Sequence, residues 1–276
     1  MFGRMWGSHG RDKFIGGQWI MKIDWDSYTK EEEDKFNSLP FQEKLDILEK
    51  NWDDERAIEL ISAQLASMEK SLPEPVAATK LALKTRIPHT ALSLREVLYA
   101  RMFDISAIAF DQLKSGNSIA GIILTRAALE TVALIGVFAI RIREYLHVES
   151  EDKLDRFLKS SLLGSKNEST KVEAINILTF IDRVDKDSPG FRKMFDDLCE
   201  MAHPNWAGTL ASYGRFDSET ITLHIERKAM QPPLMLGLLP LSTALDLFTE
   251  KYNESAETVD ALYRWYAKKY DLQYDG

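Results

Sequence analysis

The 276-residue sequence has one cysteine, Cys199. A lone cysteine excludes an internal disulfide bond and a zinc site made of several thiolates, and it suits a reducing compartment, so we expect a cytoplasmic protein. The sequence also lacks a glycine-rich phosphate loop, a G-x-S-x-G nucleophile elbow and an H-E-x-x-H zinc motif. The best-defined nucleotide-binding, hydrolase and metalloprotease signatures are therefore missing, and we predict no cofactor and no bound metal.

Positive charge is also scarce. Lys and Arg number 35 against 43 Asp and Glu, which gives a net charge of -8 and an isoelectric point near 5.3. An acidic chain has no general attraction for nucleic acid, so RNA binding would need a local basic patch. Lys80, Lys84 and Arg86 form the one notable basic cluster of the N-terminal half, and a cluster of this size is more often a solvated face than a phosphate site.

Two apolar stretches invite comparison with a membrane span. Ser118–Ile140 has the length, but Arg126 and Glu130 lie at its centre, and each charge costs roughly 2.5 to 3.5 kcal/mol in a bilayer. The second stretch, 234–248, is too short and is interrupted by Pro240. We therefore predict a buried core helix and no membrane association.

The sequence suggests three regions. Residues 1–20 carry five glycines among scattered aromatics and no continuous apolar run, and Met21 opens a stretch that looks like a natural start, so we interpret 1–20 as a tag, a leader or a loose arm. Residues 21–88 are predicted to form an N-terminal helical segment that ends in a proline-bounded linker. Residues 89–276 are predicted to form a helical bundle.

Apolar residues at three- and four-residue spacing predict a chain that is mostly helical. Capping boxes, such as Ser93 with Glu96, and the Ser188-Pro189 pair indicate where helices begin. The predicted helices begin at Thr29 and at Leu39 and then cover Asp53–Leu72, Ser93–Lys114, Ser118–His147, Ser150–Leu163, Thr170–Asp185, Ser188–His203, Pro233–Tyr252 and Ser255–Tyr270. Ser93–Lys114 and Ser118–His147 are long and are joined by a short turn. They are therefore predicted to form an antiparallel helix pair.

Between residues 210 and 226 the apolar period changes from that of a helix to that of a strand. Ile221, Leu223 and Ile225 alternate with polar residues, which predicts a small β-hairpin that turns around residues 217–219. The predicted fold class is therefore all-α: a multi-helix bundle with a long central antiparallel helix pair and a small β-hairpin insert.

The centre of the long apolar helix carries two opposite charges. At about 100° per residue, Glu130 lies about 40° round the helix from Arg126, so the two side chains can pair on one face. Charges inside an apolar helix cost several kcal/mol per ion unless they are paired and hydrogen-bonded. We therefore expect a buried pair that either fixes helix register or marks a polar site between helices.

A second polar constellation lies in EMAHPN at 200–205. His203 is predicted at a helix C-terminus, where the helix dipole favours its protonated form. Pro204 then turns the chain so that Asn205 can present its amide nearby. The alternative is an ordinary helix stop with a capping histidine.

A metal site is a further alternative. Two E-x-x-H spacings each place a carboxylate and an imidazole on one helix face: Glu144 with His147, and Glu200 with His203. Helix-bundle di-iron proteins use two such pairs and two further glutamates, for which Glu96 and Glu173 are the candidates. Both histidines are predicted near helix ends, whereas a di-metal carboxylate site lies inside the bundle, so this is the weaker alternative.

The two polar constellations together resemble a known family. An R-x-x-x-E on a long central helix, Arg126 to Glu130, followed about seventy residues later by a helix ending in H-P-N, His203 to Asn205, is similar to the HEPN-like and abortive-infection-like helical proteins of prokaryotes. The resemblance covers about residues 90–210. It implies a helical-bundle core, frequent dimerisation and, in many members, metal-independent RNA cleavage in toxin or phage-defence systems.

The resemblance also brings in a second pair of residues. The usual nuclease signature of the family is an arginine and a histidine separated by four to six residues, and Arg141 and His147 have five residues between them. That pair lies at the end of the long helix and has Ile142 where a polar residue is common. On a nuclease interpretation, His203 or His147 would carry the proton and Arg126 or Arg141 would stabilise charge on the phosphorane.

The leading hypothesis from the sequence is an RNA-directed protein, either a ribonuclease or an RNA-binding protein, in a prokaryotic defence or stress system. We expect RNA or a cognate protein as the partner, and a homodimer as the assembly. The alternative is a non-catalytic dimerising scaffold or antitoxin-like module in which Arg126 and Glu130 are structural. We expect Arg126, Glu130 and His203 to converge.

Overall fold

A computed structural model describes residues 50, 52–148, 150–167, 169–226 and 234–274 of the protein. These residues form eight α-helices, one short 3-10 helix at Lys80–Leu83 and one two-stranded sheet. The helices are α1 (Asp54–Lys70), α2 (Ile87–Lys114), α3 (Ser118–Val148), α4 (Glu151–Leu163), α5 (Ile177–Asp187), α6 (Phe191–Ala202), α7 (Leu210–Tyr213) and α8 (Met235–Lys269), and the strands are β1 (Gly214–Asp217) and β2 (Thr222–Ile225). The predicted all-α bundle with a small hairpin is confirmed. The helices predicted at Thr29 and Leu39, and residues 1–20, lie outside the described residues.

The long apolar helix α3 occupies the centre of the bundle. Between Ala128 and Ala139 every residue except Glu130 is buried, because α2, α8, α4, α5 and α6 all pack against this helix. By length and composition alone, α3 is the one helix of the described ranges that would cross a membrane, and 72% of its most apolar window is buried inside the bundle. The core helix of a soluble protein passes the same test.

The turn between α2 and α3 brings three helices close together. Gly116 adopts a left-handed φ of 74°, and its N–H donates to the Leu113 carbonyl, which ends α2. The buried Leu113 side chain then packs where a side chain on Gly121 of α3 or on Gly237 of α8 would stand. Both glycines therefore permit a close approach that any larger residue would prevent.

The last helix, α8, is one helix of 35 residues and not the two helices that the sequence predicts. Pro240 lies near its start, where the loss of one backbone donor disturbs only the first turns. At the predicted break, Arg95 of α2 donates to the Tyr252 carbonyl at 3.2 Å and to Ser255 Oγ at 2.9 Å. These hydrogen bonds from α2 hold residues 252–255, and α8 continues through them.

Two predicted helix starts are wrong by more than one turn. Helix α2 begins at Ile87, because Pro88 fits the first turn of a helix, so Ser93 lies in its interior and caps nothing. Helix α5 begins at Ile177 and not at Thr170, since Asn176 caps it by accepting from the Leu178 N–H at 3.1 Å. The preceding loop is held by its own hydrogen bonds, including Ser165 N–H to the Val172 carbonyl.

Helix α6 begins at Phe191 and not at Ser188. Gly190 precedes it in the left-handed region, with φ 98°. The capping acceptor comes from the preceding helix: Asp185 Oδ1 accepts from the N–H groups of Gly190 at 3.0 Å and Arg192 at 2.9 Å. A cap contributed by a neighbouring helix has no signature in the local sequence.

The hairpin is shorter than predicted, because 210–213 form one helical turn, α7, before β1 begins. In the antiparallel register Phe216 pairs with Leu223 and Gly214 with Ile225. Paired residues point to the same side of a sheet, so Phe216, Leu223 and Ile225 share one face, which we call the apolar hairpin face. Their side chains are 63%, 45% and 77% exposed.

Helix α1 belongs to the same hydrophobic core as the rest of the bundle. Its buried residues Ala57, Ile61, Leu65 and Met68 join the cluster that α2, α3 and α8 form, and α1 begins with an N-cap at Asp53. Although the sequence predicts a boundary at residue 88, α1 packs into the core of the bundle and has no separate core of its own among the described residues.

Candidate functional site

The central ion pair forms as predicted but is not buried. Arg126 and Glu130 lie 3.2 Å apart, with 31% and 25% of their side chains exposed. The sequence predicts a buried pair because α3 is apolar on nearly all sides, whereas the neighbouring helices leave a strip open along Ile123, Arg126 and Ala127. The cost of desolvating the pair is correspondingly smaller than for a fully buried one.

Helix α6 fixes the Arg126 guanidinium from the other side. Arg126 Nε donates to Cys199 Sγ at 3.0 Å, and the guanidinium carbon lies 5.0 Å from the centroid of the Phe195 ring. With Nη2 directed to Glu130, three contacts set the orientation of the group. Arginine carries five N–H donors, so the Nη1 donors remain without a partner within the described ranges.

The H-P-N tripeptide follows directly after α6. His203 is the C-cap residue, its side chain is exposed, and its N–H donates to the Cys199 carbonyl at 3.0 Å. Asn205 is held more firmly: its Nδ2 donates to Glu200 Oε2 at 2.7 Å and its Oδ1 accepts from the Gly208 N–H at 3.1 Å. The Asn205 amide is thus oriented by its neighbours, as an element of a site would be.

Arg126 and the tripeptide are therefore neighbours in the fold. Arg126 contacts Cys199, which lies four residues, about 6 Å, before His203 along α6. The described hydrogen bonds and ion pairs of Arg126 go to Cys199 and Glu130 and not to His203. Whether His203 completes a shared site stays a prediction. We call Arg126, Glu130, Phe195 and Cys199, with the turn 203–205, the Arg126 site.

Arg141 and His147 do not belong to the Arg126 site. Both are exposed, and Arg141 pairs with Glu144 at 2.9 Å on the surface of α3. At 1.5 Å per residue, they lie about 22 and 32 Å along α3 from Arg126. The structure therefore divides the candidate residues into two groups, at opposite ends of one helix, that cannot act on one bond within a single chain.

The di-metal alternative finds no ligand cluster in the part of the chain that the structure describes. No three His, Cys, Asp or Glu side chains come together there in a way that could hold a metal ion. The proposed ligands have other partners: Glu144 pairs with Arg141, Glu200 accepts from Asn205, and Glu96 pairs with Arg95.

The most buried ion pair of the described residues is one that the sequence interpretation missed. Arg95 and Glu96 of α2 pair with side chains only 11% and 14% exposed. Glu96 accepts from the Tyr252 hydroxyl at 2.8 Å, and the Arg95 guanidinium carbon lies 3.5 Å from the centroid of the Tyr252 ring. Burial, opposed by the charge of Arg95, raises the pKa of Tyr252. This network joins α2 to α8, and its one sequence signal is an Arg-Glu pair beside the buried Leu94.

A second missed polar contact joins α1 to α8. Gln64 Nε2 donates a short hydrogen bond to Asp246, and burial raises the pKa of Asp246 to about 6, although the hydrogen bond from Gln64 opposes the rise. The other amide atom, Gln64 Oε1, is buried without a partner. A protonated Asp246 could donate to that oxygen, which would close a ring of two hydrogen bonds.

Comparison of the chain with protein-family models, with curated proteins and with solved structures finds no match, so the site is interpreted from its own geometry.

Proposed function

We propose that the protein binds RNA through the Arg126 site and cleaves it, as a HEPN-like protein of a prokaryotic defence or stress system. The observation that supports this proposal best is the fixed, partly exposed guanidinium of Arg126, whose Nη1 donors are free of protein partners in the described residues. A planar guanidinium held in place by other contacts is suited to bind phosphate oxygens through two parallel hydrogen bonds.

The proposed chemistry needs one charge stabiliser and one proton carrier. The ribose 2'-oxygen attacks the adjacent phosphorus and loses its proton to a base, while the 5'-oxygen of the next nucleotide leaves and takes up a proton. Arg126 stabilises the negative charge on the phosphorane, and His203, exposed at the end of α6, transfers a proton. Asn205 keeps one amide N–H for the substrate after its bond to Glu200.

The chain offers a matched control for this proposal. His203 and His147 are both exposed histidines near helix ends, so replacing either by Ala should leave the fold intact. We expect His203→Ala to lower RNA cleavage by about a hundredfold or more, the usual effect of losing an acid or base, and His147→Ala to leave it within about threefold. Thermal melting of both variants would establish that they fold.

The reverse pattern, in which His147→Ala loses cleavage and His203→Ala keeps it, would assign the chemistry to the other end of α3. Loss of cleavage in His147→Ala alone would place it at Arg141 and His147 and would refute the Arg126 site. A wild-type protein that cuts neither single-stranded nor structured RNA would refute the nuclease proposal altogether.

The apolar hairpin face favours a second candidate, a non-catalytic module that binds a cognate protein or a second copy of the chain. Phe216 and Ile225 are both more than half exposed, and an isolated two-stranded hairpin gains stability when its apolar face is covered. We expect Phe216→Ser with Ile225→Ser to abolish association measured by analytical ultracentrifugation and co-purification. The control Ile108→Ser removes a 53% exposed side chain from α2 and should change nothing. Association that survives the double change would refute this candidate.

A further inference from the structure

A basin lies where the chain enters α2. The 3-10 helix Lys80–Leu83 and the first residues of α2 border an open depression with a volume of about 590 Å³. Its walls include the side chains of Thr79, Lys80, Arg86 and His89, and its apolar part is formed by Ala78, Ala82 and Leu83. Leu83 is 87% exposed, so its side chain contributes little to the core.

The basin is cationic and its cations are free. From residue 75 to residue 95 there is no Asp or Glu, in a chain that carries 43 of them. Within that stretch Lys80 and Arg86 line the basin and Lys84 lies beside it, and in the described part of the chain none of these three side chains has an ion pair or a side-chain hydrogen bond. Two exposed cations elsewhere in the bundle, Arg192 and Lys269, do have carboxylate partners.

The His89 side chain and the N-terminus of α2 also lie at the basin. His89 lines it, and the Nδ1 atom of His89 is shielded from solvent without a hydrogen-bond partner. The N-terminus of α2 lies at the same place, with no acidic residue in its first turn. The Ile87 N–H donates to Thr85 Oγ1 at 3.4 Å, Pro88 has no N–H, and the His89 N–H has no partner in the described residues. The positive end of a long helix attracts anions.

We propose that this basin binds a small ligand that ends in a phosphate group, with its apolar part against Ala82 and Leu83. A terminal phosphate carries close to two negative charges at pH 7 and matches two or three cations gathered at one place. The phosphodiester backbone of RNA carries one charge per phosphate and would need a longer cationic track. A nucleoside diphosphate has the required combination of an apolar ring system and a charged end.

The basin is distinct from the Arg126 site. Arg101 of α2 donates to Thr131 of α3 at 3.2 Å, which fixes the level at which the two antiparallel helices lie side by side. Arg101 lies 14 residues after the start of α2, and Arg126 lies five residues before Thr131 in α3. Because the two helices are antiparallel, these distances add, and the start of α2 lies about 28 Å from Arg126 along the bundle axis. Ligand binding in the basin and RNA cleavage at Arg126 can therefore be tested separately.

The test is isothermal titration calorimetry of the full chain with inorganic phosphate, pyrophosphate and adenosine 5'-diphosphate. We expect the diphosphates to bind and Arg86→Glu to weaken the binding at least tenfold. Lys166→Glu makes the same charge change at an exposed loop position and should leave the affinity within twofold. His89→Phe, which removes the unpartnered Nδ1, provides a second variant, and thermal melting establishes that each variant folds.

Three results would overturn the proposal. They are the absence of binding of all three probes at millimolar concentration, equal weakening by Lys166→Glu and Arg86→Glu, and displacement of pyrophosphate by a short single-stranded oligonucleotide that lacks terminal phosphates. The last result would assign the basin to RNA. Cleavage activity that survives Arg86→Glu would leave the Arg126 proposal intact, so the two proposals fail independently.

Discussion

The contact between Gln64 and Asp246 makes the stability of the protein depend on pH in a way that one substitution should abolish. Burial raises the pKa of Asp246 to about 6, from an ordinary value of 3.8. The folded protein therefore holds the proton more tightly than the unfolded chain does. The stability contributed by the protonated form is fully present below pH 3.8 and is lost as the pH rises towards 6.

The magnitude follows from the size of the shift. A rise of about two pKa units corresponds to about 3 kcal/mol, since each unit is worth 1.36 kcal/mol. Asp246→Asn replaces the carboxyl by a neutral group of the same shape, whose amide can donate to Gln64 Oε1 and whose oxygen can accept from Gln64 Nε2. At pH 7.5 this variant should therefore be more stable than the wild type by up to about 3 kcal/mol, and at pH 4 the two should be nearly equal.

Urea unfolding from pH 4 to pH 8 would measure this difference. Many carboxylates titrate in this range, so the quantity to follow is the difference between the variant and the wild type at each pH. Asp104→Asn, at an exposed position of α2, is the matched control and should give a difference that does not change with pH. If the Asp246→Asn difference were also constant from pH 4 to pH 8, a raised pKa at this position would be refuted.

Two further substitutions test the packing of α8. Glu96→Ala leaves the Arg95 guanidinium without its carboxylate between α2 and α8 and should lower the free energy of unfolding in urea by about 3 to 5 kcal/mol. The control Glu144→Ala breaks an exposed pair and should lower it by under about 1 kcal/mol. Equal losses would contradict the burial of the first pair. Gly237→Ala places a methyl group against Leu113 and should destabilise the protein by about 1 to 3 kcal/mol, visible as a lower Tm in calorimetry; an unchanged Tm would mean that Leu113 repacks without cost.

The features that local sequence determines were predicted well. The length and apolar character of α3 follow from its composition, and the short turn at 115–117 follows from the Ser-Gly-Asn stretch that ends α2. The hairpin follows from the alternation of Ile221, Leu223 and Ile225. Each of these signals depends on residues close in the chain, so no knowledge of the tertiary fold was needed.

Three of the errors have a different physical origin from the wrong starts of α2 and α5, which local residues explain. The start of α6 depends on Asp185 from the preceding helix, and the continuity of α8 past residue 252 depends on Arg95 from α2. The partial exposure of Arg126 depends on which strip of α3 its neighbours leave open. In each case the deciding interaction comes from a neighbouring helix, which no periodicity records.

The candidate site could be predicted only as a set of residues. The sequence singled out Arg126, Glu130, His203 and Asn205, and the structure brings the helix that carries Arg126 against the helix that ends at His203. It could not show that Cys199 and Phe195 orient the guanidinium, since both look like ordinary members of the apolar stripe of α6. The separation of Arg141 and His147 from Arg126, by contrast, follows from the predicted helix at 1.5 Å per residue and needs no tertiary structure.

The position of α8 also has a consequence for biosynthesis. Of the described helices, α8, which covers α1, α2 and α3, is synthesised last, so the core closes only after residue 269 has been made. Until then α3, with a mean hydropathy of 1.9 in its most apolar window, lacks one of its covering helices. A nascent or truncated chain that ends before Met235 would expose an apolar surface that chaperones bind and that drives aggregation. Translation that stalls between α3 and α8 is therefore the stage at which this protein most needs protection.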